Sequence, residues 1–354
     1  MEVRVVKKIQ TKNSKKIVHF VYGREIEDTK RKLQYKKNDI VFVEQHNGDY
    51  SMKEYHTYKS LMKYLYDNEK NRVNINKYLL INKCTNIFNL NKDYSSNGGE
   101  KNILETLKIN NEIIKNSIEK TFDWLSFEGK INNKLVVGLG NQSVFETSIT
   151  LHHTYGIPYI PGSAIKGVLK NYIKAKYFKE CEEKCGNKCE KRCEKSANSD
   201  EVFVEIFGGK NKKGENSQGN VIFMDAFPVD CYKLERDIMT PHHADYFKSL
   251  NDEKNHTLPL DTDNVNPIHF LVLNTENKFQ FNIAINKVMH CNISSIHNSK
   301  LLNKLQNKTI KEFILEKLIE ALGFHGIGAK TSLGYGFFDV DKESIKGIEV
   351  IKKK

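Results

Sequence analysis

Long apolar runs are missing from this 354-residue sequence. No stretch approaches the roughly 18 consecutive apolar residues that a membrane-spanning helix needs, and the opening MEVRVVKKIQ alternates apolar and basic residues, unlike a leader peptide. The seven cysteines form no evident disulfide framework, since four lie in one short segment and Cys84, Cys231 and Cys291 stand alone. We therefore expect a cytoplasmic protein with no membrane anchor.

Internal repeats and sustained heptads are also missing, which excludes solenoid and coiled-coil proteins. The hydrophobic fraction of 39% is enough for a packed core. Lysine and arginine total 56 against 44 acidic residues, so the formal charge is +12 and the pI about 9.1. Such a charge favours a polyanionic partner, nucleic acid first, although a lysine- and asparagine-rich proteome also produces basic proteins without one.

The first part of the chain is predicted to be an N-terminal elaboration over residues 1–130. Its segments EVRVV, KIVHFVYG and NDIVFVEQ alternate apolar and polar residues as half-buried strands do. Apolar side chains at helical spacing then predict a long amphipathic helix from Ile103 to Phe127. A second domain is predicted over residues 131–345.

The second domain is predicted to be α+β, because its elements follow the order βαββαβ. This is the ferredoxin-like plan, in which both helices cover one face of an antiparallel sheet and RNA-recognition domains use the other face. Residues 179–199 and 229–267 interrupt the pattern and are predicted to be insertions outside the core. The predicted elements are the strand Leu135 to Leu139, the helix Ala164 to Tyr177, the strand Val221 to Phe227, the hairpin Phe270 to Ile285, the helix Ile310 to Leu322 and the strand Tyr335 to Val340.

The segment from Gly156 to Gly167, GIPYIPGSAIKG, predicts a sharp entry into a helix. Two prolines hold the backbone extended, a glycine permits a turn, and Ser163 is placed to cap the helix. The N-terminal N–H groups and Lys166 in the first turn could bind a phosphate. A simple capped helix explains the same residues, so both interpretations stay open.

The segment from Gly323 to Gly336, GFHGIGAKTSLGYG, holds five glycines in fourteen residues. It follows a predicted helix that starts with a capping box of Thr309 and Glu312. Such a loop lets backbone N–H groups approach a polyanion, and we expect these residues to contact it: Gly326, Gly328, Lys330, Thr331 and Ser332. A nucleotide P-loop is disfavoured, because no glycine precedes the lysine directly and the order is helix, loop, strand.

Several motifs together resemble the RAMP superfamily, and within it the family of sixth subunits of the type III-B CRISPR (Cmr) effector complex. The resemblance covers about residues 138–340. It is carried by the segments YGIPYIPGSAIKG, IFG, NVIFMDAFP and MTPHH, which begin at Tyr155, Ile206, Asn220 and Met239, and by the glycine-rich loop.

The resemblance implies a ferredoxin-like, RNA-binding RAMP core in an antiviral ribonucleoprotein. The implied partners are the guide RNA (crRNA) near its 3′ end, possible target RNA, and other Cmr subunits, namely the backbone, small and head RAMP subunits. Cleavage of target RNA belongs to the backbone subunit in this family, so no enzymatic activity is expected here. Ser163 and Lys166 match the family's PGS-x-x-KG element. The residues that match its glycine-rich loop are Gly326, Gly328, Lys330, Thr331 and Ser332.

Two histidine pairs leave an alternative open. His152 with His153, or His242 with His243, could serve a metal-independent endoribonuclease that processes guide-RNA precursors, since imidazole titrates near neutrality. A hydrogen-bonding or stacking role is the simpler expectation. Asp225 and Asp245 are expected to form local polar contacts rather than a metal site.

The cysteines Cys181, Cys185, Cys189 and Cys193 recur at every fourth position. Four thiolates could hold Zn²⁺ if the backbone bends near Gly186, although this is not the usual zinc-knuckle spacing. The alternative is a solvated basic insertion in which the thiols have no common role.

Overall fold

The computed structural model describes two compact units, residues 1–75 and 76–354. In the first unit it describes the backbone of six strands. In the second it describes residues 76–79, 81, 96, 98–141, 147–179, 187–210, 214–250, 258–260, 265, 267–297, 299–305 and 308–348, with only the backbone given at some helix positions.

The described part of the first unit consists of short antiparallel strands, as the alternating segments predict. Strands β1, β5 and β6 form one sheet and β2, β3 and β4 another. The strands are β1 (Glu2–Val5), β2 (Lys7–Lys8), β3 (Ile17–Val21), β4 (Arg24–Glu27), β5 (Ile40–His46) and β6 (Asp49–Lys53).

The second unit mixes helices and strands, so the α+β prediction is confirmed for it. Its helices are α1 (Lys77–Leu79), α2 (Gly98–Ile118), α3 (Gly162–Tyr177), α4 (Asn187–Asn198), α5 (Glu201–Phe207), α6 (Ala244–Ser249), α7 (Val288–Ser294) and α8 (Ile310–Phe324). Its strands are β7 (Phe122–Ile131), β8 (Gly209–Lys210), β9 (Asn216–Ser217), β10 (Val221–Phe223), β11 (Phe227–Pro228), β12 (Leu234–Met239), β13 (Ile268–Leu273), β14 (Lys278–Asn286) and β15 (Phe338–Lys346). No described helix is long and apolar enough to cross a membrane.

The main sheet is antiparallel, with strand order β10-β14-β7-β15 and β11 beside β14. Helices α3 and α8 pack on each other, α3 contacts β10, and α8 contacts β15. Alternate residues of the two middle strands, such as Phe127 and Phe281, are fully buried and stack with ring centroids 5.0 Å apart. This layer of side chains between sheet and helices is the core of the unit.

The prediction of an amphipathic helix from Ile103 to Phe127 is wrong beyond Ile118, where α2 ends. The chain turns at residues 119–121 and continues as β7, an interior strand of the sheet. Leu125 and Phe127 fit both a helical and an alternating pattern, and burial of these two side chains within the sheet favours the strand. The domain boundary predicted at residue 130 thus falls within β7. The division between the two compact units lies instead between residues 75 and 76 of the chain.

Other strand predictions are corrected in detail. Residues 135–139 are an extended segment with one bridge, from Leu135 to Leu273. The strand predicted over 221–227 is split into β10 and β11. The predicted hairpin contains two strands, but β13 pairs with β12 while β14 pairs with β7. The last strand begins at Phe338, because the glycine-rich loop continues through residue 336.

The predicted insertion at 229–267 begins within the core rather than outside it. Tyr232 and Leu234 are buried, and β12 pairs with β13 over its whole length. The Tyr232 hydroxyl donates to Glu100, which also accepts from Lys77 Nζ at 2.7 Å. This buried polar group fixes the start of the segment against α1 and α2, because a buried charge needs its partners.

Candidate nucleic-acid interface

Helix α3 begins two residues earlier than predicted, and Ser163 does not cap it. The N-cap is Pro161, and the Gly162 N–H donates to Asp225 Oδ1 at 2.8 Å. A Cβ atom at Gly162 would overlap the Phe223 carbonyl oxygen, which explains the glycine. A carboxylate of the protein therefore occupies a position where we expected a phosphate, and Ser163 is left exposed.

Lysines follow one side of α3 beyond this turn. Lys166, Lys170 and Lys174 are spaced four residues apart, so their side chains neighbour one another on the helix. Burial lowers the pKa of Lys170, and the charges of Lys174 and Lys166 lower it further. Repulsion among these lysines makes an anion on this side favourable. The sequence reasoning selected Lys166 alone, although the four-residue spacing could have revealed all three.

The glycine-rich loop satisfies much of its own backbone, so the expectation of outward N–H groups is wrong for half of it. The Ile327 N–H donates to Gly336 O at 2.8 Å, and the Ala329 N–H donates to Val136 O at 2.8 Å. Gly326 is buried. Gly336 has a φ of 74°, and a Cβ atom there would overlap the Ile327 carbonyl. These glycines serve close backbone packing.

The tip of the loop is different, because its first backbone donors are not bonded by other described residues. Lys330 is left-handed at φ 61° and starts the short 3-10 turn Thr331–Leu333. Among the described residues, no acceptor bonds the N–H groups of Lys330, Thr331 and Ser332. Ser332 is exposed, and Lys330 Nζ lies 4.8 Å from the centroid of the Phe270 ring. The tip thus combines backbone donors, hydroxyls and a cation positioned over a ring.

An ion pair fixes the base of the loop. Asp237 on β12 accepts from Lys134 Nζ at 2.7 Å and from the Tyr335 hydroxyl. Burial raises the pKa of Asp237, but the two hydrogen bonds and the lysine charge outweigh it, so the net pKa is lowered. Burial and the hydrogen bond to Asp237 raise the pKa of Tyr335 to about 12. Both groups keep their bonding form across the neutral range.

Helices α3 and α8 run antiparallel, which places the two predicted segments at one end of the pair. Tyr177, the last residue of α3, meets Phe313 in the first turn of α8, with ring centroids 6.2 Å apart. Further back on α3, Tyr172 meets His325 just after the end of α8, with centroids 5.1 Å apart. The N-terminus of α3 therefore points toward the end of α8 from which the glycine-rich loop continues.

Glu320 joins the two helices. It accepts from the Tyr172 hydroxyl at 2.6 Å, from Lys176 Nζ at 2.7 Å and from Lys317 Nζ at 2.9 Å. Burial raises the pKa of Glu320, but these three hydrogen bonds outweigh it and lower the pKa to about 2.

Backbone contacts also connect the two segments. Ala329 bonds Val136, the next residue Val137 accepts from the Thr150 N–H at 2.8 Å, and Leu151 is bridged to Pro158. Residue 160, just before α3, is bridged to Ala226. A series of backbone contacts thus links the loop to the turn within the unit.

The first histidine pair belongs to an aromatic cluster. His152 stacks on His153 with centroids 5.1 Å apart and on Tyr155 at 4.4 Å, and it also contacts Tyr159 and Phe227. Burial lowers the pKa of His152, and His153 lowers it further despite the opposing charge of Asp225. His152 is therefore neutral at neutral pH.

The second pair, His242 and His243, lies just before α6, with ring centroids 6.2 Å apart. Asp225 has the structural role described above, and the Asp245 side chain lies outside the described residues.

The cysteine cluster is described only in part. Cys181 and Cys185 lie outside the described residues. Cys189 and Cys193 lie one turn apart on α4, where only the Cys193 side chain is described. No group of three potential metal ligands occurs among the described side chains. The Zn²⁺ site with four cysteines stays a prediction.

Known proteins resemble this chain in sequence. It is 34% identical to the CRISPR system Cmr subunit Cmr6 of Pyrococcus furiosus, over 58% of this chain and 65% of that protein. It is 25% identical to the Cmr6 subunit of Saccharolobus solfataricus, over 68% of this chain and 63% of that protein. The chain thus spans slightly less than two thirds of these curated relatives.

Solved structures also resemble it. One is a chain from the type III-B Cmr-beta complex bound to cognate target RNA, with 19% identity, a TM-score of 0.47 and coverage of 83% of this chain and 78% of that one. Another is the crystal structure of Cmr6 from Pyrococcus furiosus, with 27% identity, a TM-score of 0.34 and coverage of 62% and 98%.

A family model provides the assignment. The model of the RAMP superfamily matches residues 130–339, which is more than half of the chain and includes α3, α8 and the glycine-rich loop. The chain therefore belongs to the RAMP superfamily.

Proposed function

We propose that this protein is a non-catalytic, guide-RNA-binding structural subunit of a type III-B CRISPR (Cmr) antiviral ribonucleoprotein. The sequence similarity to Cmr6 proteins supports the assignment to such a complex. Its partners would be the crRNA near the 3′ end, target RNA when bound, and neighbouring Cmr subunits in the cytoplasm. The net charge of +12 suits a subunit that contacts an RNA backbone.

The observation that carries the proposal is the loop tip together with the start of α3. Lys330, Thr331 and Ser332 present a cation, hydroxyls and N–H groups at the end of the α3/α8 pair where Ser163 is exposed. Phosphate oxygens accept from such donors, and these contacts hold a strand without reading its bases. We therefore propose that the two segments form a cradle for the sugar-phosphate backbone.

The main sheet suits a ferredoxin-like core. In the ferredoxin-like plan, the first strand would be β7, the second β10, the third β14 and the fourth β15. The two helices of the plan would be α3 and α8. We propose that the RAMP core is this unit, although its first strand is β7 rather than the segment at 135–139. Residues 1–75 stay outside it.

RNA retention by the purified protein tests the proposal. Labelled crRNA should be held on a filter by the full chain and released steeply with rising salt, because phosphate contacts displace counterions. The double variant of Lys166→Ala and Lys330→Ala should lose most of this retention. If the unaltered protein, tested alone, retains no RNA at moderate salt, the result would favour a purely protein-bridging role and contradict the proposal.

A second candidate is a metal-independent endoribonuclease that uses a histidine pair. The stacked, neutral His152 beside His153 favours it, because a neutral imidazole can accept a 2′-hydroxyl proton. Labelled repeat RNA incubated in EDTA separates the two functions. Discrete cleavage products that disappear with His153→Ala or His242→Ala would contradict the non-catalytic proposal and favour the endoribonuclease. Intact RNA would support the non-catalytic proposal.

A further inference from the structure

A cavity of about 260 Å³ lies on the face of the main sheet opposite α3 and α8. Its floor is formed by β7 and β14, and its walls by α2 and by Phe227 and Pro228 of β11. Drug-sized ligands occupy pockets of roughly 300–1,000 Å³, so this cavity suits a smaller group. None of the residues proposed above to contact phosphates lines it.

The floor of the cavity is polar, whereas a sheet face that is covered by a helix is normally apolar. Asn282 and Ser126 are direct partners across β14 and β7, and their neighbours Phe281 and Phe127 point to the opposite side. Asn282 is only 4% exposed and Ser126 only 6%. Among the described residues, neither side chain has a hydrogen-bond partner.

Buried polar side chains are normally hydrogen-bonded, so these two require an explanation. Neither has a polar atom that is both fully covered and unpaired. Their polar atoms therefore reach the cavity, where a ligand can complete their hydrogen bonds. The Asn282 amide offers two donors and an acceptor, and the Ser126 hydroxyl offers one donor and acceptor sites.

The remaining lining narrows the chemistry of the ligand. Trp124 and Phe227 supply aromatic surface. Glu128 supplies a carboxylate that has no hydrogen-bond partner among the described residues. Lys108 and Lys346 add positive charge. A planar group with apolar faces and an edge of mixed donors and acceptors fits this set. Nucleobases have these features, and proteins bind unpaired bases by aromatic stacking and edge hydrogen bonds.

We propose that this cavity binds one unpaired nucleobase of the RNA strand and favours a base with an exocyclic amino group. Glu128 accounts for the preference, because a carboxylate accepts from an amino group but is repelled by a carbonyl oxygen. Uracil has no exocyclic amino group, because both of its exocyclic groups are carbonyl oxygens that flank a single N3–H donor, and it is expected to bind most weakly. The assignment to the RNA strand rests on the proposed function, while base binding itself does not.

Trp124 makes the test direct, because it is the single tryptophan of the chain. Free AMP, CMP, GMP and UMP would be titrated into the full-length protein, with tryptophan fluorescence corrected for absorbance against N-acetyltryptophanamide. AMP, CMP and GMP should quench saturably and UMP at least several-fold more weakly. Short single-stranded RNA should quench at lower concentration than the mononucleotides.

Variants separate the cavity from the backbone cradle. Asn282→Leu should abolish quenching without lowering the melting temperature, because the amide has no structural partner, and Glu128→Gln should remove the discrimination against UMP. Asn110→Leu, an exposed asparagine on α2 outside the cavity, should leave quenching unchanged. Equal quenching in Asn282→Leu, or no quenching by any nucleotide, would overturn the proposal even if filter retention persists. Loss of retention with nucleotide quenching intact would contradict the cradle instead.

Discussion

The two segments at the shared end of α3 and α8 differ in how they treat their backbone donors. At the turn before α3, the Gly162 N–H is bound by the carboxylate of Asp225, so a negative charge of the protein already lies there. At the tip of the glycine-rich loop, the N–H groups of residues 330–332 have no acceptor among the described residues. We therefore expect the loop to contribute more to the proposed RNA binding than the turn, which adds Ser163 and the lysines of α3.

The largest effect is expected from changing the glycine packing that supports the tip. Gly336→Ala places a Cβ atom on the Ile327 carbonyl at a positive φ, so it should lower the free energy of unfolding by about 3 kcal/mol or more and abolish RNA retention. Chemical denaturation and filter binding measure both.

Gly167→Ala is the matched control, because nothing lies within 4 Å of its added Cβ. It lies inside α3 and should raise stability by about 0.5–1 kcal/mol. Unchanged stability of Gly336→Ala would show that the loop does not pack as described.

A smaller effect is expected from the joint that holds the two segments together. Glu320→Gln should lower the free energy of unfolding by about 2 kcal/mol at neutral pH, because it weakens three hydrogen bonds of a half-buried carboxylate. The exposed Glu105→Gln serves as control.

The same carboxylate predicts a pH dependence. Because the pKa of Glu320 is lowered from 4.5 to about 2, its stabilisation is complete above pH 4.5 and is lost as the pH falls toward 2. The difference between Glu320→Gln and the unaltered protein should therefore shrink over this range in acid unfolding curves. A constant difference would contradict the assigned pKa.

Removal of the loop cation should weaken RNA binding without unfolding the protein. Lys330→Ala should lower affinity about tenfold and reduce the slope of log affinity against log salt by about one, as expected for one lost phosphate contact. Lys166→Ala should have a smaller effect. Lys304→Ala, an exposed lysine before the opposite end of α8, should bind normally, and an equal loss there would indicate nonspecific electrostatic binding.

The smallest effect tests the charge at the turn. Asp225→Asn keeps an oxygen that accepts from the Gly162 N–H but removes the negative charge, so RNA affinity should rise about threefold. Glu343→Gln, a neutralisation on the exposed part of β15, should change affinity less. A fall in affinity with Asp225→Asn would show that the carboxylate assists the RNA site.

Local patterns predicted α3 and α8 better than the strands and better than the end of α2. The capping box of Thr309 and Glu312 is confirmed, and α3 and α8 begin and end within two residues of their predictions. The strand β7 was missed because Phe122 and Leu125 extend the helical spacing of α2, and only pairing with β14 and β15 resolves the ambiguity.

For the candidate site as well, local sequence patterns did not reveal contacts between residues that are far apart in the chain. The two glycine-containing segments could be selected from sequence, because turns and capped helices have local signatures. The role of Asp225 could not, since it lies 63 residues from Gly162 in the chain. The cavity beneath α2 also could not, because Ser126 and Asn282 become neighbours only through strand register.

Hydrogen–deuterium exchange with and without crRNA tests the cradle most directly. We predict that RNA slows amide exchange at residues 330–332 and around residue 163 together, while exchange at the junction of Tyr177 and Phe313, at the far end of the helix pair, stays unchanged. Protection of the far end, or of neither segment, would contradict it.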